Sequence, residues 1–368
     1  MKKNPKIILF NSNIKEPIAI NRINEFIQRG YDLEVYYYSR SEWKNEVNDN
    51  ERMHSLGVME SGAKSYLARV WRQYSDLKKL TKKYKDENVV FYFMGFDYAV
   101  FYILTRAKIP YIYEESDLRH TYFPHFLVSF FEKIDKKMIK NSMITAFTSE
   151  GFIKYHFGSY EAKPQNAVMI PNRLGVGIKD VKIKPRKAVE KDKLRVAFVG
   201  SPRFKSVYNF AKVFCERFPN YEFHFYGAPL RDGIDTLKVY SNCIFHGPFV
   251  SPQDLPSIYS EIDLVLSTYD THFDNVKYAE PNKIYESIFF EVPIIVSSGT
   301  FLADKVNKLG IGYDVDPFDE KAIVDFINGL TVKDIDLKSE NAKRIPKDSL
   351  ISINDELFDK LNRILNNE

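Results

Sequence analysis

The chain has 368 residues, 44% apolar and 28% charged, which suits about two domains and excludes a small module held by disulfides or metal. Its two cysteines, Cys215 and Cys243, cannot build a disulfide framework or a multi-cysteine zinc site. The net charge of +4 conceals two unlike halves: residues 1–193 carry 34 Lys and Arg against 23 Asp and Glu, a net +11, whereas residues 194–368 carry a net −7. A basic half points to a polyanionic partner, either a membrane surface or nucleic acid.

The opening MKKNPKIILF holds an apolar run only from Ile7 to Phe10, shorter than the roughly 7–15 residues of a signal-peptide core. No stretch approaches the roughly 18–20 apolar residues that span a bilayer, so a soluble cytoplasmic protein is expected. Short β-branched and aromatic runs then alternate with longer amphipathic stretches. Strands are predicted at 6–10, 33–38, 89–94, 109–114 and 143–149, and a weaker one at 167–171, with helices near 18–29, 64–85, 97–107 and 121–140. Lysines and prolines from 176 to 193 suit a linker. The alternation restarts with strands at 194–200, 221–227, 243–249, 263–269 and 292–298, and an amphipathic stretch at 349–365 closes the chain.

This pattern predicts an α/β protein of two doubly wound, Rossmann-like domains facing across a cleft, at 1–175 and 194–348, with the last helix (349–368) packed back on the first. In such sheets ligands gather beyond the carboxyl ends of the strands. The residues that follow strands are therefore the candidates.

The segment YAEPNKIYESIFFEVPIIVSSGT, 278–300, is the most informative. Pro281 suits a first helical position and leaves the amides of Asn282, Lys283 and Ile284 at a helix N-terminus, an anion site to which Lys283 adds charge. Glu286 falls on the same helix face one turn deeper, where a carboxylate can accept both hydroxyls of a ribose. An ordinary Lys/Glu pair at a helix start is the alternative. In FVGSPRFKS, 198–206, Gly200 permits a tight turn, and Arg203 and Lys205 can neutralise a diphosphate or stand as solvated loop cations. FYGAP (225–229) and FHGPFV (245–250) end strands with glycines, and backbone groups at Phe249 or Val250 could read a base edge.

In the first half, YEESDLRHTY (113–122) follows a strand and clusters Glu115, Asp117 and His120, groups able to take a proton from an acceptor hydroxyl. Asp117 is the first choice, and helix capping by Asp117 or Ser116 is the competing reading. The next helix combines Phe123, Phe126, Phe130 and Phe131 with Lys133, Lys136, Lys137 and Lys140, a composition suited to an anionic membrane interface or to a core. No G-x-G-x-x-G follows the first strand, no phosphate-binding P-loop occurs, and the seven histidines lack metal spacing. Metal-independent chemistry without a cofactor is expected, and no motif points to nucleic acid.

PNKIYESIFFEVPIIVSS resembles the P-x-K-x-x-E-x…P-x-I-x-S signature of GT-B glycosyltransferases, especially the mostly retaining family that includes bacterial capsule, lipopolysaccharide and exopolysaccharide enzymes. The resemblance implies a nucleotide-diphosphate sugar donor, UDP- or GDP-linked, with the diphosphate on Lys283 and the ribose on Glu286. It gives Arg203 and Lys205 the leaving nucleotide. Gly200, Phe249, Glu280 and Asn282 complete the implied donor set. The family's first glutamate would fall on Tyr278, and Glu280 is the nearby acid, out of register. The implied acceptor is a polyprenyl-diphosphate-linked saccharide at the inner face of the cell membrane. Two alternatives share the architecture: a nucleotide-sugar epimerase, and a non-catalytic nucleotide-sugar sensor.

Overall fold

The computed structural model describes residues 5–14, 17–39, 51–59, 66–190, 192–228, 230 and 233–366. Pro229 of the FYGAP segment and the start of the helix expected at 64–85 lie outside them. The chain divides into two compact units, Met1–Asn172 with Ile353–Glu368, and Arg173–Ser352.

The first unit holds a parallel sheet of seven strands: β1 (Lys6–Asn11), β2 (Leu33–Ser39), β3 (Met53–Val58), β4 (Val89–Met94), β5 (Tyr111–Glu115), β6 (Ile144–Phe147) and β7 (Ala167–Met169), in the order β3-β2-β1-β4-β5-β6-β7. The central strands are covered on both faces, so their side chains are buried almost without alternation, as in KIILF and VVFYF. Ile7 sits beside Leu33 on one side and Val90 on the other. On one face these strands pack against Leu357, Phe358 and Leu361 of the final helix, Asp355–Asn366.

The second unit repeats the plan with β8 (Arg195–Val199), β9 (Glu222–Tyr226), β10 (Cys243–Gly247), β11 (Leu264–Ser267), β12 (Ile294–Ser297) and β13 (Gly312–Val315), ordered β10-β9-β8-β11-β12-β13. In both sheets the order reverses beside the first strand, the doubly wound arrangement whose ligand crevice lies at that reversal. The lysine-rich segment after Arg173 is anchored to this unit: Leu174 pairs with Ile351, Ile178 is buried, and Arg186 bonds to Ser339.

Two strands differ from the sequence expectation. β3 and β13 are both edge strands. MHSLGV of β3 is half-exposed along its length and GYDV of β13 is only four residues long, so neither presents an apolar run. Among the described residues no helix is long and apolar enough to cross a membrane.

Candidate functional site

The second unit gathers its chemistry at the carboxyl ends of β8, β11 and β12. Three strand-end glycines set the rim. Gly200 donates to the Tyr226 carbonyl at 2.8 Å, and Gly227 donates to the Gly247 carbonyl at 2.7 Å. A Cβ on Gly227 would fall 1.9 Å from the Gly200 oxygen, and its φ of +130° belongs to glycine. The close approach holds the loop 200–204, which leads into the helix Lys205–Arg217.

That helix is capped from a distance. The Asp270 carboxylate, beyond β11, accepts from the Ser206 amide at 2.8 Å and from the Lys205 amide at 3.3 Å. The helix N-terminus therefore already holds a negative group, a feature the local sequence does not signal. Arg203 and Lys205 are exposed, and the Arg203 guanidinium lies 5.2 Å from the Phe204 ring centroid. Phe204 in turn meets Tyr269 edge-on at 4.9 Å. Ser297, at the end of β12, accepts from the Tyr269 amide and donates to its carbonyl, both at 2.9 Å. The serine of the P-x-I-x-S pattern thus clamps the residue on which the other loops converge. Burial pushes the Tyr269 phenol above its ordinary range, with the charge of Arg203 acting against this and that of Glu286 adding to it.

Glu286 is buried, and its Oε2 accepts from the Tyr259 hydroxyl at 2.8 Å and from Lys283 Nζ at 2.6 Å. Oε1 has Asn282 Nδ2 at 3.5 Å. The helix begins at Lys283 rather than at Pro281, and the Ile284 amide returns to the Pro281 carbonyl at 3.4 Å, which leaves the amides of Asn282 and Lys283 at its head. Gly200, Arg203, Lys205, Asn282, Lys283 and Glu286 thus occupy the loops and helix starts at one end of this sheet.

Two donor candidates have side chains turned into the protein. Glu280 is buried and turned inward, where Tyr285 donates to its Oε1 and Lys305 Nζ stands 2.7 Å from the same oxygen. Phe249 packs its ring against the core. The Val250 amide donates to Asp254 Oδ2 at 2.7 Å and its carbonyl accepts from the Asp254 amide, so the Val250 N–H is already engaged within its own turn.

In the first unit, Glu114 and Glu115 end β5 and, by strand alternation, point to opposite faces. Glu114 meets Arg22 Nε at 3.0 Å and the Tyr92 hydroxyl. Glu115 Oε1 lies 2.7 Å from His156 Nε2. His120 Nδ1 lies 2.8 Å from Asp135 Oδ2, and Tyr113 donates to Asp135 Oδ1 at 2.9 Å. Glu115, His120 and Asp135 are wholly buried. Burial pushes the Glu115 carboxyl up to about 7, with Asp135 adding to the rise and His156 opposing it. Burial disfavours the charged His156 ring, yet Glu115 beside it holds the pKa above its ordinary value. Glu115 and His120 are therefore internal groups rather than surface bases, because Asp135 and His156 from the two following helices enclose them. Asp117 alone of the three is exposed.

Glu115, Asp135 and His156 bring ligand atoms within 4.8 Å of one another, the one metal-compatible group among the described residues. Histidine spacing in the sequence could not have signalled it, since only one of the three is a histidine.

No family model matches the chain, and no curated protein matches it in sequence. Solved structures do. Sucrose-phosphate synthase from Thermosynechococcus elongatus superposes with a TM-score of 0.72 at 12% identity, covering 99% of this chain and 100% of that one. Anabaena Alr3699/HepE in complex with UDP and glucose gives 0.66 at 14% identity over 96% and 99% of the two chains. WaaG, a glycosyltransferase involved in lipopolysaccharide biosynthesis, gives 0.62 at 15% identity over 93% and 97%. The fold is GT-B. Within a GT-B chain, the sheet end that carries Arg203, Lys283 and Glu286 belongs to the C-terminal of the two Rossmann-like units.

Proposed function

We propose that the protein is a glycosyltransferase that takes a sugar from a nucleotide-diphosphate sugar. The observation that carries this reading is Glu286, a buried carboxylate aligned by Tyr259 and Lys283 one turn below a helix start, on the same sheet end as the Arg203 loop. In this reading Glu286 accepts the ribose hydroxyls, and Arg203, Lys205 and Lys283 neutralise the diphosphate as charge grows on it during sugar departure. The likeness to HepE solved with UDP and glucose supports a UDP-linked donor.

The finer reading is a lipid-linked saccharide acceptor in cell-surface polysaccharide assembly, with transfer that retains configuration. It rests on the motif resemblance and on the helix His125–Asn141, which exposes Phe126 and Phe130 beside Lys133 and Lys137. That face suits an anionic membrane interface. Asp117, exposed after β5, is the polar group assigned to the acceptor.

The test is a donor screen. UDP-, GDP- and CMP-sugars are added singly, and thermal stability and nucleotide release are followed with and without a polyprenyl-diphosphate-linked saccharide. Stabilisation by one nucleotide class, with release dependent on the acceptor, is expected. No response to any of them would sink the reading, and release of free sugar without acceptor would replace transfer with epimerase-like chemistry.

A further inference from the structure

Tyr269, two residues beyond β11, has both of its backbone polar groups taken by one side chain. The buried Ser297 hydroxyl, at the end of the neighbouring strand β12, accepts from its amide and donates to its carbonyl. With its main chain held in this way, the dipeptide Tyr269–Asp270 reaches the start of the helix Lys205–Arg217 with both side chains. Asp270 takes the Ser206 and Lys205 amides, and the Tyr269 ring meets Phe204 edge-on with the centroids 4.9 Å apart. An edge-to-face contact is directional, so it sets the tilt of the Phe204 ring as well as its position.

Phe204 is the residue on which Arg203 rests. The guanidinium carbon stands 5.2 Å from the centroid of that ring, within cation–π range. Ser297, Tyr269, Phe204 and Arg203 therefore form one chain of contacts that runs from the end of β12 to the exposed tip of the loop after β8. The ring contact satisfies no hydrogen-bonding group: Ser297 already serves the Tyr269 backbone, and Asp270 already caps the helix. What it contributes is orientation. A long cationic side chain standing in water loses rotamer freedom when it binds an anion, and a ring that holds it beforehand lowers that cost. Tyr269 is only partly buried, and the charges of both Arg203 and Glu286 act on its phenol. It lies within electrostatic reach of the two groups assigned to the diphosphate and the ribose.

We propose that Tyr269 is a positioning residue for diphosphate binding: held by Ser297, its ring fixes Phe204, and through Phe204 it presents Arg203 to the diphosphate of the nucleotide. Tyr269 acts through Arg203 and not by touching a phosphate. The assignment rests on the transferase reading, in which Arg203 neutralises that diphosphate.

The experiment is calorimetric titration of the full chain with UDP and UMP, and with GDP and GMP, because the ratio of the two affinities for one base isolates the second phosphate. Arg203→Ala should reduce that ratio about tenfold, the scale of one lost charge-assisted bond. Tyr269→Leu should reduce it about threefold, the scale of a lost exposed cation–π contact, while Tyr269→Phe, which keeps the ring, should restore the parent ratio. The decisive variant is the double one: in the Arg203→Ala background, Tyr269→Leu should cause no further loss, since a residue that acts through another is not additive with it. Losses that multiply in the double variant overturn the proposal. So does a Tyr269→Leu chain whose denaturation midpoint falls while its diphosphate-to-monophosphate ratio stays at the parent value, the signature of a purely structural role. If Tyr269→Leu fails to fold, Phe204→Leu breaks the same contact from its other side and is read against the same outcomes. A parent chain that binds neither UDP nor GDP removes the transferase reading and this proposal with it, whereas a parent chain that prefers the diphosphate, with an unchanged ratio in Tyr269→Leu, removes the proposal alone.

Discussion

Lys283 and Glu286 are bonded to each other, ammonium to carboxylate at 2.6 Å, and the Tyr259 hydroxyl reaches the same oxygen at 2.8 Å. On the proposed reading, an arriving diphosphate competes for a lysine that already has a partner. Glu286→Gln should keep the fold and weaken nucleotide-sugar binding by about tenfold or more, because a neutral amide loses the charge-assisted bonds to ribose. Lys283→Ala should do the same through the diphosphate. Isothermal titration with the donor identified by the screen measures both, and unchanged affinity in the two variants would refute the assignment.

Glu286→Ala behaves differently from Glu286→Gln. It leaves the buried Tyr259 hydroxyl without its acceptor, a loss of about 1–3 kcal/mol. Chemical denaturation should show a lowered midpoint for the alanine variant and a smaller change for the glutamine.

Asp270 is a cap supplied from another strand end. Asp270→Ala removes acceptors from the Ser206 and Lys205 amides and should cost about 0.5–2 kcal/mol, the range for lost helix caps. The denaturation midpoint should fall with an unchanged m-value. Asp270→Asn, which retains one acceptor oxygen, should recover part of the loss.

The buried Glu115–His156 pair gives stability a definite pH sign. Glu115 rises from 4.5 to about 7 in the folded chain, so between those values the folded state holds a proton that the unfolded state has released, and stability falls as pH climbs through that window. His156, also raised from 6.5, contributes stability that is present below that value and lost above it, which extends the decline. Comparing Glu115→Gln with the parent chain at pH 5, 6, 7 and 8 isolates the effect, and the variant should show the flatter slope.

Phe126 is 81% exposed and Phe130 58%, so replacing both with serine should leave thermal stability nearly unchanged. Flotation with anionic liposomes should fall sharply in that double variant and weaken with salt in the parent chain. Absence of flotation by the parent chain would remove the membrane assignment.

The central strands were legible because burial on both faces leaves continuous runs such as VVFYF, which β-branched and aromatic side chains favour. β3 and β13 were not, since an edge strand that is half-exposed or four residues long carries no such run. At the carboxyl end of the second sheet, the pairing of Lys283 with Glu286 was readable because a helix brings residues three apart together. Tyr259, Asp270 and Ser297 were not, because they reach their partners across 27, 64 and 28 residues. Burial of Glu115 and His120 was equally hidden. Their position after a strand is local information, whereas their enclosure depends on Asp135 and His156.

The final helix contributes Leu357, Phe358 and Leu361 to the core of the first unit, whose strands come from residues 6–169. During synthesis those strands leave the ribosome early, yet their hydrophobic face stays incomplete until the entire second unit, Arg173–Ser352, has been made. The second unit is contiguous and can close first. A chain that stops at Ser352 thus has all thirteen strands of the described residues and still exposes the apolar floor of its first sheet, which makes premature termination there an aggregation hazard rather than a mild truncation.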